Sequence, residues 1–385
     1  MSDTNTLARP QVKSASALGR PILIGHEIYR NSRYGTKHPL SIPRVSTALD
    51  LINAMGWVGQ DQYVEGRPAT EAQLAWFHEP DYIAALKRTQ QSQKADAETR
   101  ERYNLGRMEN PIFAEMFDRP AMASGSSIMA AELLRDGGVV YNVAGGTHHG
   151  KPGRASGFCY LNDPVLGLMA MLRMGLTRIA YVDIDAHHGD GVQDAFHDDD
   201  RVFTISIHEG GRWPQTGQLD DRAGGMARNL PVPKGLNNAE MLHLIDQAVV
   251  PLVQAFEPEA IVIQGGCDSL AEDPLSGLSL SNRGYWGAID CLRGLAPRLL
   301  MLGGGGYNPW TVGRAWSGVW RLLNDLPMPD RLPAPAESIL RSIHWRHRLA
   351  DNPPERWFTT LADPVDEQEQ TIRDEIKYVA DAVLA

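Results

Sequence analysis

Cysteine is scarce in this chain. Three of its 385 residues are cysteines, Cys159, Cys267 and Cys291, and no two of them form a C-x-x-C pair. An odd and widely spaced set cannot complete a disulfide framework and offers no thiolate zinc site. This usage argues against a disulfide-stapled scaffold and fits a reducing compartment.

Long apolar runs and an excess of positive charge are also lacking. No apolar stretch approaches the roughly 20 residues of a membrane span, and the first 20 residues contain no apolar core of a secretory signal. The formal net charge is −10 at pH 7. Nucleic acid and anionic membranes are therefore not expected as partners, whereas a cationic substrate is compatible with this charge.

Strand and helix patterns alternate along the chain. Short apolar runs that read as strands occupy residues 21–25, 139–144, 179–182, 202–207, 261–265 and 299–302, and helical patterns separate them. This order is typical of a single α/β domain in which helices cover both faces of a mainly parallel central sheet. We assign this domain to residues 21–325. Residues 1–20 are predicted to be a disordered tail, and residues 326–385 a C-terminal extension that packs on the domain or trails from it.

Three local predictions concern the ends of elements. Thr70 and Gln73 have the spacing of a capping box and would start a helix. Asp163-Pro164 predicts another helix start, with the acid at the cap and the proline in the first turn. The polar residues 95–111 are predicted to form an irregular surface loop.

The chain is organised around residues 178–194, where an apolar strand pattern runs directly into acids and imidazoles: Asp183, Asp185, His187, His188 and Asp190. In an extended backbone, side chains at i, i+2 and i+4 share one face, so Asp183, Asp185 and His187 would project together. Carboxylates crowded in this way repel one another unless a cation compensates them. A solvated acidic turn is the alternative, but the histidine pair and the flanking glycines favour a metal site.

Three further strands also end in glycine followed by reactive side chains. His148 and His149 follow the second strand, Asp268 follows the fifth, and Tyr307 follows the sixth after four glycines. In an open parallel sheet, ligands bind at the carboxyl ends of the strands. We therefore expect these groups to converge in one crevice.

Their chemistry would suit a metal-dependent hydrolase. Asp185, His187 and Asp268 offer mixed oxygen and nitrogen ligands, which suit Zn²⁺, with Fe²⁺ or Mn²⁺ as alternatives. A metal held in this way would activate water and polarise a carbonyl, as amide hydrolysis requires. Alone, a histidine pair is usually structural, a glycine run is usually a turn, and the tyrosine after it is usually packing. Their expected convergence favours the catalytic interpretation.

The ordered motifs GGTHHG, GFCYLND, YVDIDAHHGDG, TISIH, GGCDSL and GGGGYN, together with the chain around them over residues 21–323, resemble the histone deacetylase, acetoin-utilisation protein and acetylpolyamine amidohydrolase superfamily. The likeness is to its zinc-dependent branch, and most of all to bacterial acetoin-utilisation, class I-like deacetylases. The resemblance implies the arginase/deacetylase-like fold. It also implies that residues 21–325 form a zinc-dependent deacetylase domain.

Carried over by position, the resemblance implies a role for each residue of the crevice. The zinc ligands would be Asp185, His187 and Asp268. His149, paired with Asp190, would be the general base and acid, while His148, paired with Asp183, would assist electrostatically. Tyr307 would polarise the scissile carbonyl.

The resemblance also implies residues around this centre. A structural potassium ion would be held by Asp183, Asp185, His187, Ser206 and Ile207. The substrate tunnel would be formed by Gly157, Phe158, Trp213, Leu275 and Glu109. Arg44 would lie behind a cavity for released acetate.

Two departures from the family pattern fall at the tunnel mouth. The rim aspartate that holds the substrate backbone in the family is matched most nearly by Glu109, in Glu109-Asn110-Pro111. Trp213 is bulkier than the usual phenylalanine. These changes would affect peptide gripping and acyl length but would leave the core chemistry intact.

We therefore expect an amide hydrolase that removes acetyl from Nε-acetyl-lysine in a protein or peptide. The alternatives are hydrolysis of small acetylated amines such as acetylpolyamines and, from a different class, a non-catalytic acyl-lysine-binding protein. No nucleic-acid or membrane partner is expected, and the sequence does not specify an oligomeric state. We also expect a cytoplasmic, bacterial location.

Overall fold

The computed structural model describes residues 14–32, 34–35, 37–365 and 371–385. Its centre is one eight-stranded sheet in the order β2-β1-β3-β8-β7-β4-β5-β6, and every neighbouring pair is parallel. The strands are β1 Ile22–Gly25, β2 Tyr63–Glu65, β3 Gly138–Asn142, β4 Ile179–Asp183, β5 Val202–Glu209, β6 Ala227–Val232, β7 Ala260–Gln264 and β8 Arg298–Leu302.

Helices connect the strands and cover the sheet. They are α1 Ala15–Leu18, α2 Ile28–Asn31, α3 Val45–Ala54, α4 Glu71–Leu74, α5 Pro80–Ser92, α6 Ala97–Tyr103, α7 Asp118–Leu133, α8 Asp163–Arg173, α9 Asp190–Ala195, α10 Asn238–Leu244, α11 Val250–Phe256, α12 Asn282–Leu292, α13 Pro309–Leu323, α14 Ala334–Arg341, α15 Arg356–Thr359 and α16 Asp374–Leu384. A π-helical turn, Ile245–Val249, joins α10 to α11. Among the described residues, no helix is both long and apolar enough to cross a membrane.

The central strand β4 shows why the sheet is buried on both faces. Its five residues are all buried, and alternate side chains enter different cores. Ala180 and Val182 belong to one apolar cluster, while Ile179 and Tyr181 belong to the other. A strand with two dry faces must be apolar throughout, which explains the continuous apolar run in the sequence. The predicted α/β domain with a parallel sheet is confirmed.

Details at the edges differ from the sequence-based expectations. Residues 1–13 of the predicted tail lie outside the described residues, but Ala15–Leu18 form the short helix α1, and Ala15 is buried against Gly138 at the start of β3. The prediction of disorder is therefore wrong for these four residues. Residues 95–111 are not all loop, because α6 lies within them and is capped by Asp96.

The C-terminal extension packs on the domain. Its residue Asp363 accepts a hydrogen bond from the buried guanidinium of Arg314 on α13 at 2.8 Å. Trp357, also in the extension, stacks on Trp310 with ring centroids 5.4 Å apart. The extension, residues 326–385, is predicted from the sequence either to pack on the domain or to trail from it, and its described part packs on the domain.

Candidate active site

Three predicted metal ligands meet at the carboxyl ends of β4 and β7, which are adjacent strands. The Nδ1 atom of His187 lies 2.9 Å from Oδ2 of Asp268 and 3.3 Å from Oδ1 of Asp185. One ligand atom from each residue lies within 4.8 Å of the others. Both carboxylates are buried, so the group forms a compact, inward-facing donor set.

Backbone amides and glycines fix the two carboxylates. Asp185 Oδ2 accepts a hydrogen bond from Gly305 N at 2.7 Å, and Asp268 Oδ1 accepts one from Ala186 N at 2.8 Å. A Cβ atom on Gly266 would lie 1.8 Å from Asp185 Oδ2, and one on Gly305 would lie 2.1 Å from Asp268 Oδ2. These glycines are therefore required because the carboxylates approach their backbone directly.

The electrostatics of the three groups favour a bound cation. Burial opposes a charge on His187, but Asp268 and Asp185 raise its pKa to about 10. Burial and the charge of Asp185 raise the pKa of Asp268. The two carboxylates thus stabilise a positive charge beside them, and a proton bound to His187 can provide that charge. A divalent metal would supply more, and two carboxylates with one imidazole form a donor set that fits zinc or iron(II).

Two histidine–aspartate pairs lie beside this cluster. His148 Nδ1 is 2.8 Å from Asp183 Oδ2, and His149 Nδ1 is 2.7 Å from Asp190 Oδ1. All four side chains are buried. Each aspartate orients the ring of its partner histidine through Nδ1 and leaves Nε2 of that histidine available for proton transfer or hydrogen bonding.

The loop that carries the histidines is tied to helix α8. The buried carboxylate of Asp163 accepts hydrogen bonds from Gly146 N at 3.0 Å and Thr147 N at 2.8 Å. Asn162, rather than the predicted Asp163, caps the helix by accepting from Val165 N at 3.1 Å. The predicted cap is therefore wrong by one residue, because the acid instead fixes the turn that leads to His148.

The two histidines have opposite protonation preferences. Burial lowers the pKa of His149 to about 3, and the neighbouring charge of His148 lowers it in the same direction. For His148, the charges of Asp183 and Asp185 outweigh burial and raise the pKa to about 9. Near neutral pH, His149 is therefore a neutral ring that can accept a proton, while His148 is a cation.

Tyr307 faces the same space. Its backbone N–H donates to Asp273 Oδ2 at 2.6 Å, and its ring lies edge-to-face with Phe158 at 5.9 Å. Burial raises the pKa of its hydroxyl well above the ordinary value. The hydroxyl therefore stays protonated and can donate a hydrogen bond to a developing oxyanion.

A cavity of about 660 Å³ leads from His149, His187 and Tyr307 towards the surface, and its walls include all five predicted tunnel residues: Glu109, Gly157, Phe158, Trp213 and Leu275. Gly157 has φ +53°, and a Cβ atom there would lie 2.4 Å from the Trp213 ring. Position 157 therefore requires glycine, because the Trp213 ring occupies the space that a side chain at this position would need. Trp213 itself remains 42% exposed.

The carboxylate of Glu109 is turned onto this wall. Its Oε1 accepts a hydrogen bond from Gly157 N, and Asn104 Nδ2 lies 3.5 Å from its Oε2. His38 Nε2 is also 3.2 Å from the backbone oxygen of Glu109. Glu109 therefore supports the tunnel loop.

The residues predicted to hold potassium are also neighbours. Ser206 on β5 is the register partner of Asp183 on β4, and Ile207 follows it. The Ser206 hydroxyl is 2.9 Å from Nδ1 of His208. This arrangement places Ser206 and Ile207 beside the end of β4, which carries Asp183.

Three polar residues beside the site escaped the sequence analysis. Lys151 forms ion pairs with Asp190 at 2.5 Å and with Asp194 at 2.7 Å. Asp273 anchors the Tyr307 backbone, and Arg119 joins the predicted Arg44 on an inner cavity that His149 and Tyr307 also line. Only Lys151 gave a usable signal, since it lies two residues after His149; the other two are brought there by tertiary packing.

Comparisons with known proteins agree with this geometry. The histone deacetylase domain family matches residues 38–323. The yeast histone deacetylase RPD3 from Saccharomyces cerevisiae is 34% identical over 79% of this chain and 71% of its own length, and the acetoin utilization protein AcuC from Bacillus subtilis is 32% identical over 88% of each chain. A crystal structure of a histone deacetylase homologue from Aquifex aeolicus aligns with a TM-score of 0.90 and 37% identity, covering 95% of this chain and all of that one. The chain is a member of the histone deacetylase family and, as such, an amide hydrolase of the deacetylase type.

Proposed function

We propose that the protein removes the acetyl group from Nε-acetyl-lysine in a protein or peptide, in a zinc-dependent reaction. One observation carries this proposal: the donor set Asp185, His187 and Asp268, both histidine–aspartate pairs and Tyr307 converge at the base of one tunnel. The family membership supports amide hydrolysis as the reaction. The role of each residue in the reaction is inferred from where its side chain lies.

Asp185, His187 and Asp268 would hold the metal, zinc first and iron(II) as the alternative. When bound, the metal supplies Lewis acidity, which polarises a carbonyl and makes water a stronger acid. We also propose a structural potassium ion held by the group Asp183, Asp185, His187, Ser206 and Ile207. That group shares Asp185 and His187 with the donor set, so a cation held there would compensate the same buried negative charge.

His149 moves the proton. Held by Asp190 and neutral near pH 7, it takes a proton from the attacking water and later delivers it to the leaving amine. Tyr307 donates its hydroxyl hydrogen to the oxygen on which negative charge develops, and the cationic His148 lowers the energy of the same charge. The bond from carbonyl carbon to nitrogen breaks, and a bond from that carbon to the water oxygen forms.

The tunnel fits an acetyl-lysine side chain. Its aromatic walls, Phe158 and Trp213, suit the apolar methylene chain of lysine, while the carbonyl would reach His149 and Tyr307 at the base. The amine becomes a cation on release, and a protein with a net charge of −10 is compatible with a cationic product.

A small acetylated amine, such as an acetylpolyamine, is the second candidate. One observation favours it: the Glu109 carboxylate is engaged with Gly157 and is therefore not free to hold a peptide backbone. The chemistry at the base of the tunnel would be the same for both substrate classes. They differ only in what lies outside the tunnel.

The deciding experiment compares initial rates on an acetyl-lysine peptide and on an acetylated polyamine, using chelator-stripped protein with and without added Zn²⁺. We expect zinc to restore hydrolysis, with the peptide preferred in kcat/KM. A preference for the polyamine would select the second candidate. No hydrolysis of either amide by protein with zinc demonstrably bound would contradict both.

A further inference from the structure

A second, inner cavity of about 50 Å³ lies behind the catalytic residues. Its walls include His149, Asp185 and Tyr307 from the reaction centre, together with four residues that the proposed reaction leaves without a catalytic role: Tyr29, Tyr34, Arg44 and Arg119. The cavity therefore borders the side chains that would surround the scissile carbonyl. Its size corresponds to about three or four water-sized groups.

Two guanidinium groups border this small space. Arg44 Nη1 donates to the backbone oxygen of Gly304 at 2.7 Å. Arg119 Nη1 donates to the backbone oxygen of Ser32 at 3.1 Å, and its guanidinium lies 5.2 Å from the ring centroid of Tyr29. Within the described part of the chain, neither guanidinium forms an ion pair with a carboxylate. Two positive charges thus face one cavity with only neutral hydrogen-bond partners.

Electrostatics does not remove these charges. Burial is the largest influence and lowers the pKa of Arg119, and Arg44 lowers it further, while Tyr34, Tyr29 and Glu115 raise it. A guanidinium nevertheless remains protonated in proteins because its ordinary pKa exceeds 12. The mutual repulsion of the two cations is relieved if an anion lies between them.

Two donors of the cavity wall have no hydrogen-bond partner among the residues that the structure describes. The hydroxyl of Tyr29 and Nε of Arg44 are both buried without a hydrogen bond. Such atoms normally find a partner in a protein, in ordered water or in a ligand. Donors without partners beside two guanidinium groups indicate a ligand that brings several acceptor oxygens and a negative charge. A carboxylate has this chemistry.

We propose that the protein also hydrolyses Nε-acyl-lysines whose acyl chain ends in a carboxylate, of the succinyl type, and that Arg119, Arg44 and Tyr29 recognise that carboxylate. An acetyl group would leave the inner cavity unfilled, whereas a succinyl group adds one methylene and one carboxylate, about what the cavity holds. Water attacks the amide carbon, the carbon–nitrogen bond breaks, and the products are a dicarboxylate and the free amine. This inference rests on the proposed function, because the same catalytic groups carry out the reaction.

The test uses one peptide with acetyl, succinyl or pentanoyl lysine, the last having a similar length but no charge. We expect wild-type kcat/KM for succinyl to exceed that for pentanoyl at least tenfold. In R119M, the ratio of succinyl to acetyl kcat/KM should fall at least tenfold. The exposed arginine in R88M serves as the matched control and should keep the wild-type ratio. Y29F, which removes only the unpartnered hydroxyl, should lower the ratio severalfold even if R119M folds poorly.

Two results would overturn the proposal. The first is a wild-type enzyme that hydrolyses the acetyl peptide but prefers pentanoyl to succinyl. The second is a succinyl-to-acetyl ratio of kcat/KM that stays unchanged in both R119M and Y29F. If inhibition by free acetate or succinate weakened in these variants while that ratio stayed unchanged, the cavity would bind only the released acid and would not recognise the acyl chain of the substrate. Failure of the proposed function can be distinguished from failure of this inference, because wild-type protein loaded with zinc would then not hydrolyse the acetyl peptide at all.

Discussion

The base and the mouth of the tunnel are built in different ways. At the base, each carboxylate of the proposed donor set is fixed by a backbone amide: Gly305 N donates to Asp185, and Ala186 N donates to Asp268. Each carboxylate is also crowded by a glycine, Asp185 by Gly266 and Asp268 by Gly305. At the mouth, Trp213 is 42% exposed and Glu109 holds the tunnel loop through one contact with Gly157. The base therefore tolerates almost no change, while the mouth can vary. We expect substitutions at the base to change turnover and substitutions at the mouth to change substrate choice.

The largest effect is expected from Asp268→Asn at the base. The substitution removes one of the two proposed carboxylate ligands and one negative charge that raises the pKa of His187. We expect zinc binding to weaken strongly and kcat/KM to fall about 10³-fold or more, because the metal contributes several kcal/mol. Metal content after dialysis and the initial rate measure both effects. An active variant that retains a full equivalent of zinc would contradict the assignment of Asp268 as a ligand.

Tyr307→Phe should have the next largest effect. It removes one hydroxyl but keeps the ring that packs against Phe158. Loss of a single oxyanion donor costs about 10²–10³ in kcat, and KM should change little. Zinc content is the control, because it should remain at the wild-type level. A variant with wild-type kcat would exclude the hydroxyl from the reaction.

Asp190→Asn tests whether the Asp190 carboxylate orients His149 at the base of the tunnel. The carboxylate lies 2.7 Å from Nδ1 of His149 and orients the ring, and loss of a carboxylate that orients a functional histidine costs about 10–100-fold in activity. Asp194→Asn is a matched control, because Asp194 also pairs with Lys151 but does not contact His149 in the described structure. We expect kcat to fall in the first variant and to stay near wild type in the second. Equal losses would show that Lys151, rather than His149, is what Asp190 serves.

The same contrast explains how much could be predicted from the sequence. Strands that are buried on both faces and run into acids carry a strong local pattern, as in β4, which ends at Asp183 and is followed by Asp185. The parallel sheet brings the ends of such strands together. The convergence at the base was therefore predictable. The direction of the Glu109 carboxylate was not, because it depends on a contact with a loop 48 residues away. Arg119 also escaped prediction, since nothing within its own helix pattern shows that it meets Arg44 at a cavity.

Glu109→Ala should have the smallest effect and should separate the mouth from the base. Removing the carboxylate leaves Gly157 N–H without its acceptor and loosens the wall formed by Phe158. One such hydrogen bond is worth about 1 kcal/mol, so we expect KM to rise about fivefold while kcat stays within twofold of wild type. Glu109→Gln keeps an acceptor oxygen and should recover most of the affinity. If Glu109 instead held the substrate backbone, the alanine variant would lose activity on peptides but not on a small acetylated amine, whereas loosening of the tunnel wall must affect both substrates equally.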